Sequence, residues 1–165
     1  MLPGLPNGIR AKVYRRIVDQ LRTDPVLSSV VRHWNTFQGR QADSVPSTPD
    51  QVAVQLIPRL GPTSWASADS HRGAIVVQVE MWTPGGRIGA VDAEDALDLW
   101  EAFENAIYPW GEQAKRQDFE QDLRDLGCVT GQILFQQPAQ ITSVDDDGFY
   151  LLGSMTVEIQ RQLDA

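Results

Sequence analysis

The residues able to do chemistry are few and lie far apart. The two histidines, His33 and His71, have no acidic or thiol partner at a recognised spacing. The chain holds no paired metal-histidine motif, no zinc spacing and no nucleophile elbow. Cys128 directly follows an expected helix end, where a lone cysteine serves as a small packed residue rather than a nucleophile. Asp145, Asp146 and Asp147 offer the carboxylate oxygens that hold a hard cation. An EF-hand spacing is absent, though, and Asp-Asp-Gly between two strands is hairpin chemistry. Gly86-Arg87-Ile88-Gly89 matches the GxxG of KH RNA-binding loops, but it follows a strand instead of joining two helices. Its glycine spacing is also wrong for a dinucleotide site. We therefore expect no catalysis, no cofactor and no bound metal.

The chain has 165 residues, the length of one domain with a real core, and we treat residues 1–165 as a single domain. Apolar residues make up 42% and charged residues 22%, the balance of a folded chain rather than a disordered one. The net charge of −8 disfavours wrapping a phosphate backbone. It suits a surface past which nucleic acid must slide without sticking. One cysteine excludes an internal disulfide. The opening MLPGLPNG lacks the basic and apolar regions of a signal peptide, and no apolar run approaches the ~18 residues of a membrane span, so a cytosolic product is expected.

The elements that would position any site read as follows. Asn7 is an expected N-cap for a helix to about Arg22, in which Ile9, Val13, Ile17 and Leu21 recur every four residues. Lys12, Arg15, Arg16 and Arg22 lie on its outer face against one acid, Asp19. That face is either solvated or a contact surface for an acidic neighbour. Thr23-Asp24-Pro25 restarts a helix, with Val26, Leu27, Val30 and Val31 as its apolar side, ending near His33 or Trp34. Asn35 to Asp50 reads as a long loop. Gln51 to Leu60 alternates as a half-buried strand. Gly61 to Arg72 reads as a second loop, small and polar except for Trp65, which either tucks back onto its own domain or anchors into a partner.

Ala74 to Thr83 is expected to be the central strand. It is apolar on much of both faces, which predicts a sheet covered on two sides. Asp92 caps the next helix, where Ala93, Ala96, Leu97, Leu99, Trp100, Phe103 and Ile107 fill one arc. Glu94, Asp95, Asp98, Glu101 and Asn105 fill the other. Between Arg87 and Lys115 there are seven acids and no base, so the face has no internal i,i+4 partner. Glu94, Asp98 and Glu101 are thus either solvated or turned toward a basic partner or a repulsive channel. Tyr108-Pro109-Trp110-Gly111 stops this helix. A third follows from about Glu112 to Leu126 with Phe119, Leu123 and Leu126 inward and Gly127 as its C′ residue. Strands are expected over 129–137, 139–144 and 149–162, with a bulge or bend at Gly153. The fold class is α+β: a mixed, mainly antiparallel sheet of about four to five strands with helices packed on it and long loops.

In the order and pattern of Ile9–Leu21, Ile75–Trp82, Asp92–Ile107 and Gly148–Ile159 the chain resembles the tail terminator (tail completion) proteins of long-tailed bacteriophages. The Asn35–Asp50 segment and the third helix are longer than in a minimal member. The resemblance implies a sheet with helices packed on it and a homohexameric ring in the virion neck, assembled in the host cytoplasm. Such a ring caps the tail tube, stops its polymerisation and meets the head-side connector, while DNA passes through the lumen. The implied partners are the tail tube protein, the connector protein and further copies of the chain. No catalysis and no cofactor are implied. Other classes remain: a head-closure or adaptor protein, a tail-tube protein, a small binding module, and a metal-assisted hydrolase using Asp145 to Asp147. A tube protein needs a long apolar hairpin, which the polar Gly61–Arg72 stretch disfavours.

Overall fold

The computed structural model describes residues 8–36, 52–61, 63–67, 70–84, 93–136, 142–143 and 148–162. Asn7, Gly86–Gly89, Asp92, Asp145–Asp147 and the stretch 37–51 lie outside the described residues.

Two long strands are paired at the centre. β4 (Ser70–Pro84) and β7 (Gly148–Gln162) run antiparallel in unbroken register, from Ser70 opposite Gln162 to Pro84 opposite Gly148. β2 (Ala53–Leu60) lies antiparallel on the other edge of β4. β1 (His33–Asn35) pairs parallel with β2. β5 (Leu134–Gln136) lies against β7, giving the order β1-β2-β4-β7-β5. Two short strands sit off this path: β3 (Ser64–Ser67) on β4 and β6 (Thr142–Ser143) on β7. The sheet is open, mixed and mainly antiparallel, and four helices pack on it, as the α+β expectation holds.

The helices are α1 (Ile9–Arg22), α2 (Pro25–Val30), α3 (Ala93–Ile107) and α4 (Gln113–Asp125). The four-residue period of α1 buries Val13, Ile17 and Leu21 completely. Its N-cap is Gly8, which makes no side-chain capping bond, rather than Asn7. Asp24 caps α2, its Oδ1 accepting from the backbone N–H groups of Val26 (3.0 Å) and Leu27 (2.9 Å). Pro25 at the first helical position leaves no donor unsatisfied there. α4 ends at Gly127, whose φ of +107° supplies the left-handed C′ residue. The core gathers these helices against one face of the sheet. Ile75, Val77, Val79 and Met81 of β4, with Leu151, Met155, Val157 and Ile159 of β7, face them. Each such side chain, fully buried, contributes about 1.5–3 kcal/mol.

Among the described residues the sheet is covered on one face, not on both as expected. β4 is central, but Val76, Gln78, Glu80 and Trp82 on its other face are half-buried, and Leu152 of β7 is exposed. Among the described residues no helix packs over this side. The apolar side chains there shield one another: the rings of Trp82 and Tyr150 sit 5.2 Å apart across the strand pair. Neighbouring polar groups are paired as well, with Gln78 Nε2 donating to Glu80 Oε1 at 2.7 Å. Apolar residues on both faces therefore signalled cross-strand aromatic packing rather than a second helical layer.

Other expectations need correction. The second helix ends at Val30, and His33–Asn35 is an edge strand, because Arg32 and His33 donate backbone bonds to Val52. Within Gly61–Arg72, Ser64–Ser67 is a strand rather than loop: Ser64 and Trp65 pair with Arg72 and His71, and the central strand starts at Ser70. The strand expected over 129–137 is confined to Leu134–Gln136, preceded by a lone bridge from Cys128 to Ile159. Of 139–144, Thr142–Ser143 is strand. Leu97, assigned to the buried arc of α3, is 54% exposed.

Gly153 forms no bulge, since the register runs straight through its pairing with Val79. Its role is close approach. A Cβ there would overlap the Trp100 ring and lie 2.9 Å from the Gln136 carbonyl oxygen. Trp100 stacks on Phe103 at 5.6 Å, and its Nε1 donates to Glu104 (2.8 Å). The bare backbone at Gly153 thus receives α3 against the sheet. Gly153→Ala should cost about 1–3 kcal/mol in urea unfolding by overpacking. Adding Trp100→Leu should cost less than the sum of the two single changes, because both act on one contact.

Candidate functional site

The outward residues of α1 and α3 form two stripes of opposite sign. On α1, Lys12, Arg15 and Arg22 are exposed, interrupted by Asp19, and their side chains make no hydrogen bond or ion pair among the described residues. On α3, Glu94, Asp98 and Glu101 recur at i, i+4 and i+7, are exposed, and likewise have no partner among the described residues. The sequence placed all six on outer faces, and the helices put them there because the opposite faces carry the core.

Arg16 is different. Its Nε and Nη2 donate to Asp122 Oδ2 (3.0 and 2.9 Å), and Nη1 donates to Gln20 Oε1 (2.9 Å). The guanidinium also lies over the Phe119 ring, 4.8 Å from its centroid. It ties α1 to α4 inside the molecule and is therefore set apart from the other three cations. Trp65 lies in β3, paired with His71.

Several surface features escaped the sequence reading. Val26 and Val30, read as part of the buried side of α2, are 54% and 42% exposed. They form one wall of an apolar groove of about 380 Å³ between α2 and α3. Val52, Leu99 and Ala102 complete its lining, Thr83 contributes at the end of β4, and Asp95 and Asp98 stand in its wall. Leu27 and Val31, four residues apart, are buried, while Val26 and Val30, on the adjacent strip of the same side, stay exposed. Leu60, at the end of β2, is 82% exposed, and Trp110, in the turn after α3, is 90% exposed. The Trp110 turn is held by Asn105 Oδ1, which accepts from the Trp110 backbone N–H at 2.8 Å. It borders a wide depression of about 740 Å³ together with Glu104, Arg116 and Glu120.

No protein-family model matches the chain, and no curated protein matches it. Function has to be argued from surfaces and chemistry. Among the described residues no three His, Cys, Asp or Glu side chains gather where a metal could be held, and no helix is long and apolar enough to cross a membrane. His33 is exposed in the edge strand. Cys128 is buried against the sheet, and burial pushes its thiol up to about 12. Burial, followed by the nearby Glu80 carboxylate, pushes the Tyr150 hydroxyl up to about 12 as well.

Two predictions follow from these placements. Arg16→Ala should destabilise the isolated chain by about 1–2 kcal/mol through its ion pair and ring contact. Arg15→Ala should stay within about 0.5 kcal/mol, as measured by chemical denaturation. The Cys128 thiol, protonated in the fold, should react with a disulfide reagent at pH 8 only as fast as the chain opens. A raised folded pKa also gives stability that is complete below the ordinary value and lost as pH rises. Cys128 should therefore contribute a loss between about pH 9 and 12, which Cys128→Ala removes from the alkaline stability profile.

Proposed function

We propose that this chain is a structural assembly protein of the phage tail-terminator kind. It forms a ring that caps the tail tube, ends its polymerisation and meets the head-side connector, with DNA passing through the lumen. The observation that carries this is the pair of exposed stripes of opposite sign on α1 and α3, whose Lys12, Arg15, Arg22, Glu94, Asp98 and Glu101 side chains have no partner among the described residues. Uncompensated like charges on one helix face repel, and a complementary face on a neighbouring copy relieves that repulsion. Because the two stripes are different surfaces, their contact is head-to-tail, the kind that closes into a ring when the rotation permits. An open sheet with helices on it agrees with what the resemblance implies, and a net charge of −8 suits a wall that DNA must pass without adhering.

Negative-stain imaging of the purified protein should show rings with an open lumen. Added to polymerising tail-tube protein, the rings should arrest growth at a fixed length. Lys12→Glu with Arg15→Glu should abolish the rings and the arrest together. These two positions are the right ones because Arg16 is occupied within its own molecule. Rings that persist in the double variant with unaltered salt dependence would remove the stripe pairing. Tubes that grow unchecked in the presence of wild-type rings would remove the tail-terminator assignment.

A further inference from the structure

The groove between α2 and α3 combines a shape with a charge. Val26 and Val30 recur at i and i+4 along one wall. Asp95, Asp98, Leu99 and Ala102, at i, i+3, i+4 and i+7, form one stripe of α3 along the other. Both walls are therefore helical ridges, and the space between two such ridges is what a third helix packs into. Among the described lining residues there are two carboxylates and no cation. Asp98 is exposed, and its carboxylate has no partner among the described residues.

We propose that this groove seats an amphipathic helix of another protein, one that carries aliphatic residues at i, i+3 and i+4 with a lysine or arginine beside them. The apolar walls call for the aliphatic side chains, and the unbalanced carboxylates call for the cation. A second copy offers no such surface among the described residues. The outer face of α1 has Lys12, Arg15 and Arg22, but none of the large apolar residues of α1 is exposed. Leu60 and Arg59 are adjacent in a strand and so point to opposite faces of the sheet. Leu152 does share a face with Arg59, but both line a depression rather than a ridge. Leu97 lies on α3 between Glu94 and Glu101. Trp110 shares its depression with Glu104 and Glu120, and the cation there, Arg116, is already paired with Glu120. Leu134 sits in an edge strand that has no basic residue. The occupant is therefore a different chain, and the contact goes beyond the pairing of copies proposed above. Of the acidic stripe of α3 only Asp98 lines the groove, which leaves Glu94 and Glu101 for that pairing.

The test is binding of a fluorescein-labelled model helix to the full chain, followed by anisotropy. The peptide is built of leucine, lysine and alanine, with its leucines at i, i+3, i+4 and i+7. One control peptide has glutamate for every lysine, and a second has the same composition with the leucines scattered round the helix. The amphipathic lysine peptide should bind saturably, and both controls about tenfold more weakly or less. Asp98→Lys and Val30→Ser, both at exposed positions, should each weaken binding about tenfold. Glu101→Lys makes the same charge change on the same helix outside the groove, and should alter binding less than about twofold. A polarity-sensitive thiol dye on Val30→Cys should shift to the blue on binding, and one on Leu134→Cys should not, the native Cys128 being buried. Equal losses from Asp98→Lys and Glu101→Lys, or equal binding of the scattered peptide, overturn the proposal, because either means general attraction to an acidic chain. So does the absence of saturable binding up to about 1 mM. Loss of the wild-type oligomer in Val30→Glu, read by light scattering, overturns it as well, since a second copy would then fill the groove. A wild type that is monomeric yet binds the lysine peptide in the expected pattern upholds the groove and removes the ring alone.

Discussion

The fold depends on the unbroken pairing of β4 with β7. Fifteen residues on each strand face one another without a bulge, and that register decides which side chains look toward the helices. A slip by one residue would turn Ile75, Val77, Val79 and Met81 out of the core and expose them together. The same register puts Gly153 opposite Val79, and so creates the bare patch of backbone on which Trp100 rests. α3 is seated there, and its acidic residues project outward as a result. Surface charge is thus set indirectly, by strand alignment and one missing Cβ.

Much of this was legible in the sequence because period and burial coincide. The four-residue recurrence of Ile9, Val13, Ile17 and Leu21 found α1, and the alternation of Ile75 to Met81 found the helix-facing side of β4. The outward placement of Lys12, Arg15, Glu94, Asp98 and Glu101 followed from the same periodicity. What failed had other physical causes. Trp82 and Val76 looked like a second core face, yet among the described residues no helix covers them, and the Trp82 ring is sheltered by Tyr150 across the strand pair. Ser64–Ser67 fell within a stretch, Gly61 to Arg72, that looked like a loop because it is small and polar apart from Trp65. Pairing with a long neighbour made Ser64–Ser67 a strand. Arg16 looked equivalent to Arg15, and only the approach of α4 separates their roles. Val26 and Val30 were counted with the apolar side of their helix, and their exposure depends on which neighbours cover that side, which periodicity does not report.

The exposed features form a pattern when taken together. Cations gather where α1 begins and β2 ends: Arg10, Lys12, Arg59 and Arg72. Acids gather where α3 begins, beside an apolar groove. Such a molecule has two unlike ends, and unlike ends favour ordered chains of copies over symmetric face-to-face dimers. Electrostatic attraction of this kind steers encounter and fixes register, and it weakens as salt screens it.

The most direct measurement is the light-scattering mass of the wild-type chain across a salt series at fixed micromolar concentration. Polar ends held by exposed charges should give a mass several times 18.4 kDa at low salt. It should fall toward 18.4 kDa as salt screens the contacts over about 10 Å at 0.1 M and 3 Å at 1 M. A mass of 18.4 kDa at every salt concentration would contradict the account.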